Sequence, residues 1–182
     1  MTNLLELALL GNPEVRLAGQ PLARLRSAKV YALLYYLAVT RRAQPRTVLA
    51  GLFWGNIDEY YARRNLNRSL SDLTKAIGDH LMVERQSLGM APNQPYWLDV
   101  EVLEGAAATT PTADNITMLA TAANLYRGDF LAGFYVHDAP DFEQWVLGER
   151  TRLRAGVLQL HHALAGFYAE QGDLLQAMDY AA

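Results

Sequence analysis

The stretch ARRNLNRSLSDLTKAIGD, residues 62–79, constrains this chain more than any other. At ~100° per residue, Leu66, Leu70, Leu73 and Ile77 fall on one narrow stripe of a helix. Arg64, Arg68, Ser71 and Lys75 fall on the opposite side, with Asn67 on its flank. The leucine stripe calls for a core to pack on. The basic side has two readings, a solvated surface or a surface lying in a DNA groove, because outward charge is the default for any surface helix.

The order of elements around this helix narrows the choice. Leu4 to Leu10 reads as a strand, Gly11-Asn12-Pro13 as a turn, and Val15 to Leu17 as a short strand. A second turn at Ala18 to Pro21 leads to a possible further strand over Leu22 to Leu25, giving a small antiparallel sheet. Ser27 suits a helix N-cap, and Val30, Leu33, Leu34 and Leu37 follow with helical spacing to about Val39. A polar break at 41–45 precedes a second helix from Arg46 to Trp54, ended by Gly55-Asn56. The leucine-striped helix is the third and closes at Gly78-Asp79. Leu81 to Arg85 and Leu88 to Ala91 read as a hairpin about Gln86-Ser87. Sheet, three helices and hairpin make a winged helix-turn-helix, in which the third helix is the expected reader of the major groove and the hairpin is the wing.

Beyond Leu98 the pattern is helical. Helices are expected over Val100 to Ala107, from a cap at Asp114 to about Tyr126, and from about Asp141 to Ala169 with Phe142, Trp145, Val146, Leu153, Leu158 and Leu164 inward. Another starts at Leu174 and runs to Ala182. The segment LAGFYAEQGDLLQA sets Leu164, Tyr168, Gly172 and Ala177 at the spacing of a tetratricopeptide helical hairpin. The expected class is therefore mainly α: an α+β first domain over 1–98 and an all-α tetratricopeptide-like domain over 99–182. The last helix stops soon after it begins, so a fragment of a longer protein is expected.

Charge divides the chain at the same place. The first 98 residues hold 12 Lys+Arg against 7 Asp+Glu, and the remainder holds 4 against 12, within an overall net charge of -3. A basic first part favours a polyanion through phosphate contacts; an acidic second part repels DNA and suits protein partners. No long uncharged apolar run suggests a membrane span, and the start lacks the basic region of a signal peptide. With no cysteine, disulfides, thiolate metal sites and a cysteine nucleophile are excluded, and a cytoplasmic setting fits. His161 and His162 are adjacent on a helix and diverge by ~100°, so they do not pair on a metal. No phosphate-binding P-loop is present. Trp54, Trp97 and Trp145 read as core anchors, and Tyr35 and Tyr36 as packing residues. Of Arg41, Arg42 and Arg46, which flank the second helix, two are expected to be solvated. No cofactor, metal, small-molecule ligand or catalytic group is expected.

Taken together, LLGNPEVRLAGQPL, KVYALLYYLAV, LAGLFWGN, ARRNLNRSLSDLTKAIGD and YWLDVEVLEG, followed by LYRGDFLAGF and WVLGERTRLR, give a chain that resembles the Streptomyces antibiotic regulatory protein (SARP) family of transcriptional activators. That family pairs an OmpR-type winged helix with a bacterial transcriptional activation domain of tetratricopeptide-like helices. The resemblance implies sequence-specific binding to promoter direct repeats, homodimers and contact with RNA polymerase. It points to Arg64, Asn67, Arg68, Ser71 and Lys75 as base or groove contacts, and to Ser27, Lys29 and Arg85 as contacts to the DNA backbone. Family wings usually carry a glycine and an aromatic near the tip, whereas residues 86–90 here read QSLGM. The alternative is a protein-interaction scaffold whose winged helix no longer binds DNA.

Overall fold

The computed structural model describes residues 3–181. Among these described residues, two small sheets and seven α-helices are built around one continuous core. Strands β1 (Leu5–Ala8), β2 (Glu14–Leu17) and β3 (Gln20–Pro21) form an antiparallel meander. Leu5 faces Leu17 across β1 and β2, and Leu7 faces Val15. Leu5 and Leu7 are fully buried, so alternation sends one face of β1 to the core. The third strand lies just ahead of the expected Leu22–Leu25. There the chain leaves the sheet, and Leu25 N–H donates to the Tyr31 hydroxyl at 3.1 Å.

Helix α1 (Ala28–Thr40) is buried along most of its length, at Val30 and from Ala32 through Val39, as befits a helix that is apolar nearly all round. Helix α2 (Arg46–Trp54) has the expected bounds. Helix α3 (Glu59–Ile77) begins a turn earlier than the leucine pattern alone suggests, because Asp58 caps it by accepting from Tyr60 N–H at 2.9 Å. Leu66, Leu70, Leu73 and Ile77 are buried as expected. A single 3-10 turn leads into strands β5 (Leu81–Val83) and β6 (Ser87–Met90), which pair antiparallel as the wing. The polar break before α2 contributes β4 (Gln44–Pro45), which pairs with β6 through Gln44–Leu88 and Pro45–Ser87. The wing is thus a three-stranded sheet.

The largest difference from the sequence reading is β7 (Tyr96–Leu98). It lies parallel to β1, with Leu5 opposite Tyr96 and Leu7 opposite Leu98, and so completes a mixed first sheet. Trp97, opposite Glu6, is only partly buried and borders Glu14 and Arg16 outside the core. It is not the core anchor expected, whereas Trp54 is buried.

Helix α4 (Asp99–Ala107) follows β7 without a loop. Helix α5 (Ile116–Ala123) starts after Asn115 rather than Asp114 and stops short of Tyr126, where turns redirect the chain. Helix α6 (Pro140–Glu170) runs 31 residues, with Pro140 in its first turn where a missing N–H costs nothing. Its inward stripe is Leu153, Val157, Leu160 and Leu164; Leu158 sits one residue off that stripe and is 67% exposed, contrary to expectation. Helix α7 (Leu174–Ala181) folds back on α6 through Gly172, whose φ of +79° suits glycine. Tyr168 and Tyr180 stack across this hairpin with centroids 5.8 Å apart. Residue Ala182, in the expected helix, lies outside the described residues. Among the described residues no helix is long and apolar enough to cross a membrane.

Aromatic packing joins the two parts. Phe53 of α2 meets Phe142 of α6 at 5.2 Å between centroids, and Trp145 meets Tyr36 of α1 at 4.8 Å. Asp99, 1% exposed, adds a polar lock: Oδ2 accepts from Leu10 N–H and Oδ1 from Val100 N–H, each at 2.8 Å. Burial raises the Asp99 pKa above its ordinary value, and the backbone hydrogen bonds oppose that rise only in part. The folded state therefore holds this proton more tightly than the unfolded chain. The associated stability is fully present below the unfolded carboxylate pKa and is lost as pH rises through the folded value. Asp99→Asn keeps one acceptor where two are used and should lower stability by about 1–3 kcal/mol near neutral pH. Denaturant unfolding at several pH values should show that cost together with removal of this group's pH dependence.

Candidate nucleic-acid interface

The outer face of α3 is set by its inner one. With Leu66, Leu70 and Leu73 buried, Arg64, Asn67, Arg68, Ser71 and Lys75 are all exposed, as the helical period requires. The structure brings these five together on one surface. Ser27 and Arg68 border one shallow depression beside the start of α1. Ser27 occupies the N-cap position, yet its side chain makes no capping bond. Arg85 stands at the wing turn, on the rim of a groove of about 520 Å³ between α3 and the wing. Arg46, Arg63, Asn67 and Gln86 line the same groove.

Lys29 behaves differently from the other seven candidates. Its ammonium donates to Phe53 O at 2.7 Å and to Asp138 O at 3.1 Å, and it lies 5.4 Å from the centre of the Trp54 ring. Partial burial lowers its pKa, with the Asp138 charge opposing. A lysine so engaged ties α1 to the end of α2 and to the loop before α6.

Ion pairing separates the two halves of the molecule. The four arginines of the second part are all engaged. Arg127 pairs with Glu14, Arg152 with Glu104 and Glu149, and Arg154 with Asp129. Arg150 donates to Phe130 O and Leu131 O. The Arg154 hydrogen bond holds the Asp129 carboxyl below its ordinary pKa. Arg41, beyond α1, belongs to this set through Glu104 and Glu101. By contrast, Arg64, Arg68, Lys75 and Arg85 have no ion pair among the described residues, and Arg63 has only Glu59 one turn back. Four cations without internal partners therefore share one side of α3 and the wing.

Arg46 is the residue that sequence reasoning undervalued. Its Nε donates to Glu84 O at 3.1 Å, its Nη1 to Asn67 Oδ1 at 2.9 Å, and its backbone N–H to Gln86 O at 2.9 Å. It fastens the wing to α3. No periodic signal could have found it, since its partners lie 21 to 40 residues away in the chain.

Replacing Lys29 with alanine removes a charged donor from the part-buried carbonyl of Phe53 and from the exposed carbonyl of Asp138. It should lower stability by about 1–3 kcal/mol, as thermal or denaturant unfolding would show.

No protein-family model and no curated protein sequence matches the chain. Among solved structures, Mycobacterium tuberculosis EmbR, in a complex with a low affinity phosphopeptide, matches 93% of it with a TM-score of 0.73 and 22% sequence identity. The chain spans 46% of the EmbR chain, less than half. The protein thus has the EmbR-like fold, a winged helix with an N-terminal sheet followed by a helical part.

Proposed function

We propose that the protein is a sequence-specific DNA-binding transcriptional regulator of the SARP type, working in the cytoplasm. Residues 1–98 would form its DNA-binding domain and residues 99–182 a helical activation domain. The observation that carries this reading is the set of cations on α3 and the wing turn that have no ion pair among the described residues, in a molecule whose second part engages all of its arginines. Unpaired surface cations gathered on one helix suit a polyanion, because each phosphate they neutralise releases counterions. The likeness to EmbR, a SARP-family regulator, supports the same reading.

In the proposed complex α3 enters the major groove. Arg64 and Arg68 are placed to read bases, since a guanidinium meets guanine O6 and N7 with two parallel donors. Ser71 and Lys75 extend the contact along the helix, and Arg85 reaches phosphate from the wing. The Ser27 hydroxyl and the free N–H groups at the start of α1 suit a further phosphate. Phosphate contacts fix register while α3 side chains choose sequence. The acidic second part, kept off DNA by its charge, would contact RNA polymerase and a second copy of the chain on direct repeats.

The test is retention of genomic duplexes by the full chain at two salt concentrations. Enrichment of a repeated motif, weakened by salt, is expected. Arg68→Ala should cost about 1–3 kcal/mol on the enriched site, whereas Arg85→Ala should weaken all sequences alike and lower the salt slope by about 1. An Arg68→Ala loss no larger on the enriched site than on random DNA would remove its base-reading role. No retention at low salt would remove the DNA-binding reading altogether.

A further inference from the structure

The groove between α3 and the wing holds a hydrogen bond whose direction cannot be reversed. A guanidinium carries donors only. The atom of Asn67 that meets Arg46 Nη1 at 2.9 Å is therefore the amide oxygen, and the Asn67 Nδ2 group is turned away from Arg46. Arg46 is itself fixed from the wing side through Glu84 O and Gln86 O, so its position does not depend on Asn67. Asn67 is exposed on the proposed DNA-facing side of α3.

This orientation limits what Asn67 can read. An asparagine recognises adenine through two bonds, its oxygen accepting from N6 and its nitrogen donating to N7. Arg46 takes one of the two lone pairs of Oδ1, so the guanidinium competes with adenine N6 for that oxygen while the donor half of the amide stays free. A donor matches the acceptors of guanine (O6 and N7), of thymine (O4) and of adenine (N7), but adenine sets its N6 amino group beside N7 and cytosine presents its N4 amino group, donors that an oxygen already held by Arg46 answers less well.

Resting on the DNA-binding reading above, we propose that Arg46 is a positioning residue that sets base preference: by holding Asn67 Oδ1 it orients the amide, competes with adenine N6 for that oxygen, and shifts the preference of Asn67 from adenine towards guanine or thymine. The wing thereby takes part in sequence choice without touching a base. Its carbonyls hold the arginine, and the arginine holds the amide.

The experiment is selection from a random duplex library by the full chain, in parallel for wild type, Arg46→Met, Asn67→Ala and the double variant. Folding is checked by circular dichroism. Asn67→Ala is expected to erase preference at one position of the wild-type motif, which identifies the base under Asn67. Wild type should favour guanine or thymine there. Arg46→Met frees Oδ1 and should raise adenine at that position roughly tenfold relative to guanine or thymine. The double variant should lose that gain. A role for Arg46 confined to holding the wing would lower affinity for every sequence and leave the preference unmoved.

Wild-type selection of adenine at the Asn67-dependent position overturns the proposal, whatever Arg46→Met does. So does an unchanged preference in Arg46→Met, or an Asn67→Ala variant that alters no position. In each of those cases the chain still binds DNA and the regulator reading stands. Failure of wild type to retain any duplex at low salt overturns both.

Discussion

One buried carboxylate governs how the two parts of this molecule meet. Asp99 stands where β7 becomes α4, and its two oxygens accept from the backbone of Leu10 and of Val100. Leu10 N–H lies just past β1, so the first strand and the first helix of the second part are locked at one point. A buried acceptor without donors would be costly, and a buried donor without an acceptor equally so. The position of α4 relative to the first sheet is therefore specified by chemistry as well as by packing. Around this point, Phe53, Tyr36, Phe142 and Trp145 supply the apolar contact between α1, α2 and α6. The core does not break between the two parts.

The distribution of charge gains meaning only with pairing included. Counted along the sequence, the first part is modestly basic and the second strongly acidic. In three dimensions Arg150, Arg152 and Arg154 of the acidic part are engaged by its own carboxylates and carbonyls, Arg127 pairs with Glu14 of the first part, and Arg41 joins the set through Glu104. Lys29 is likewise committed to protein carbonyls. Of the cations without an ion pair or hydrogen bond among the described residues, Arg24 and Arg42 flank α1, and Arg64, Arg68, Lys75 and Arg85 sit on α3 and the wing turn. Modest net charge is thus compatible with a concentrated positive surface, because neutralisation is uneven.

The leucine and arginine rows of residues 62–79 made α3 legible, and the glycine signals and helical spacings around it made α1, α2 and the wing legible. Those signals are local, arising from the periods of single elements. The partly parallel sheet was not legible, because Tyr96-Trp97-Leu98 is apolar enough for either direction and pairs with residues some 90 positions away. Gln44-Pro45 was too short and too polar to read as a strand. Leu158 looked inward because leucine usually is, but one residue of helical rotation takes it out of the Val157 and Leu160 stripe. At the candidate interface, sequence indicated which side chains could face outward. It gave no sign that Lys29 would turn to Phe53 and Asp138, or that Arg46 would take the oxygen of Asn67, since both depend on where distant carbonyls come to rest.

The parallel pairing of β1 with β7 has a consequence for how the chain reaches its structure. Leu5 cannot meet Tyr96 until nearly a hundred residues exist and have been brought round. The entropy of closing that loop must be met before the strand pair returns anything, and such non-local contacts slow folding. During synthesis the winged helix cannot be complete when its third helix emerges. Its opening strand waits for Leu98 and Asp99, so the first residues made are among the last to settle.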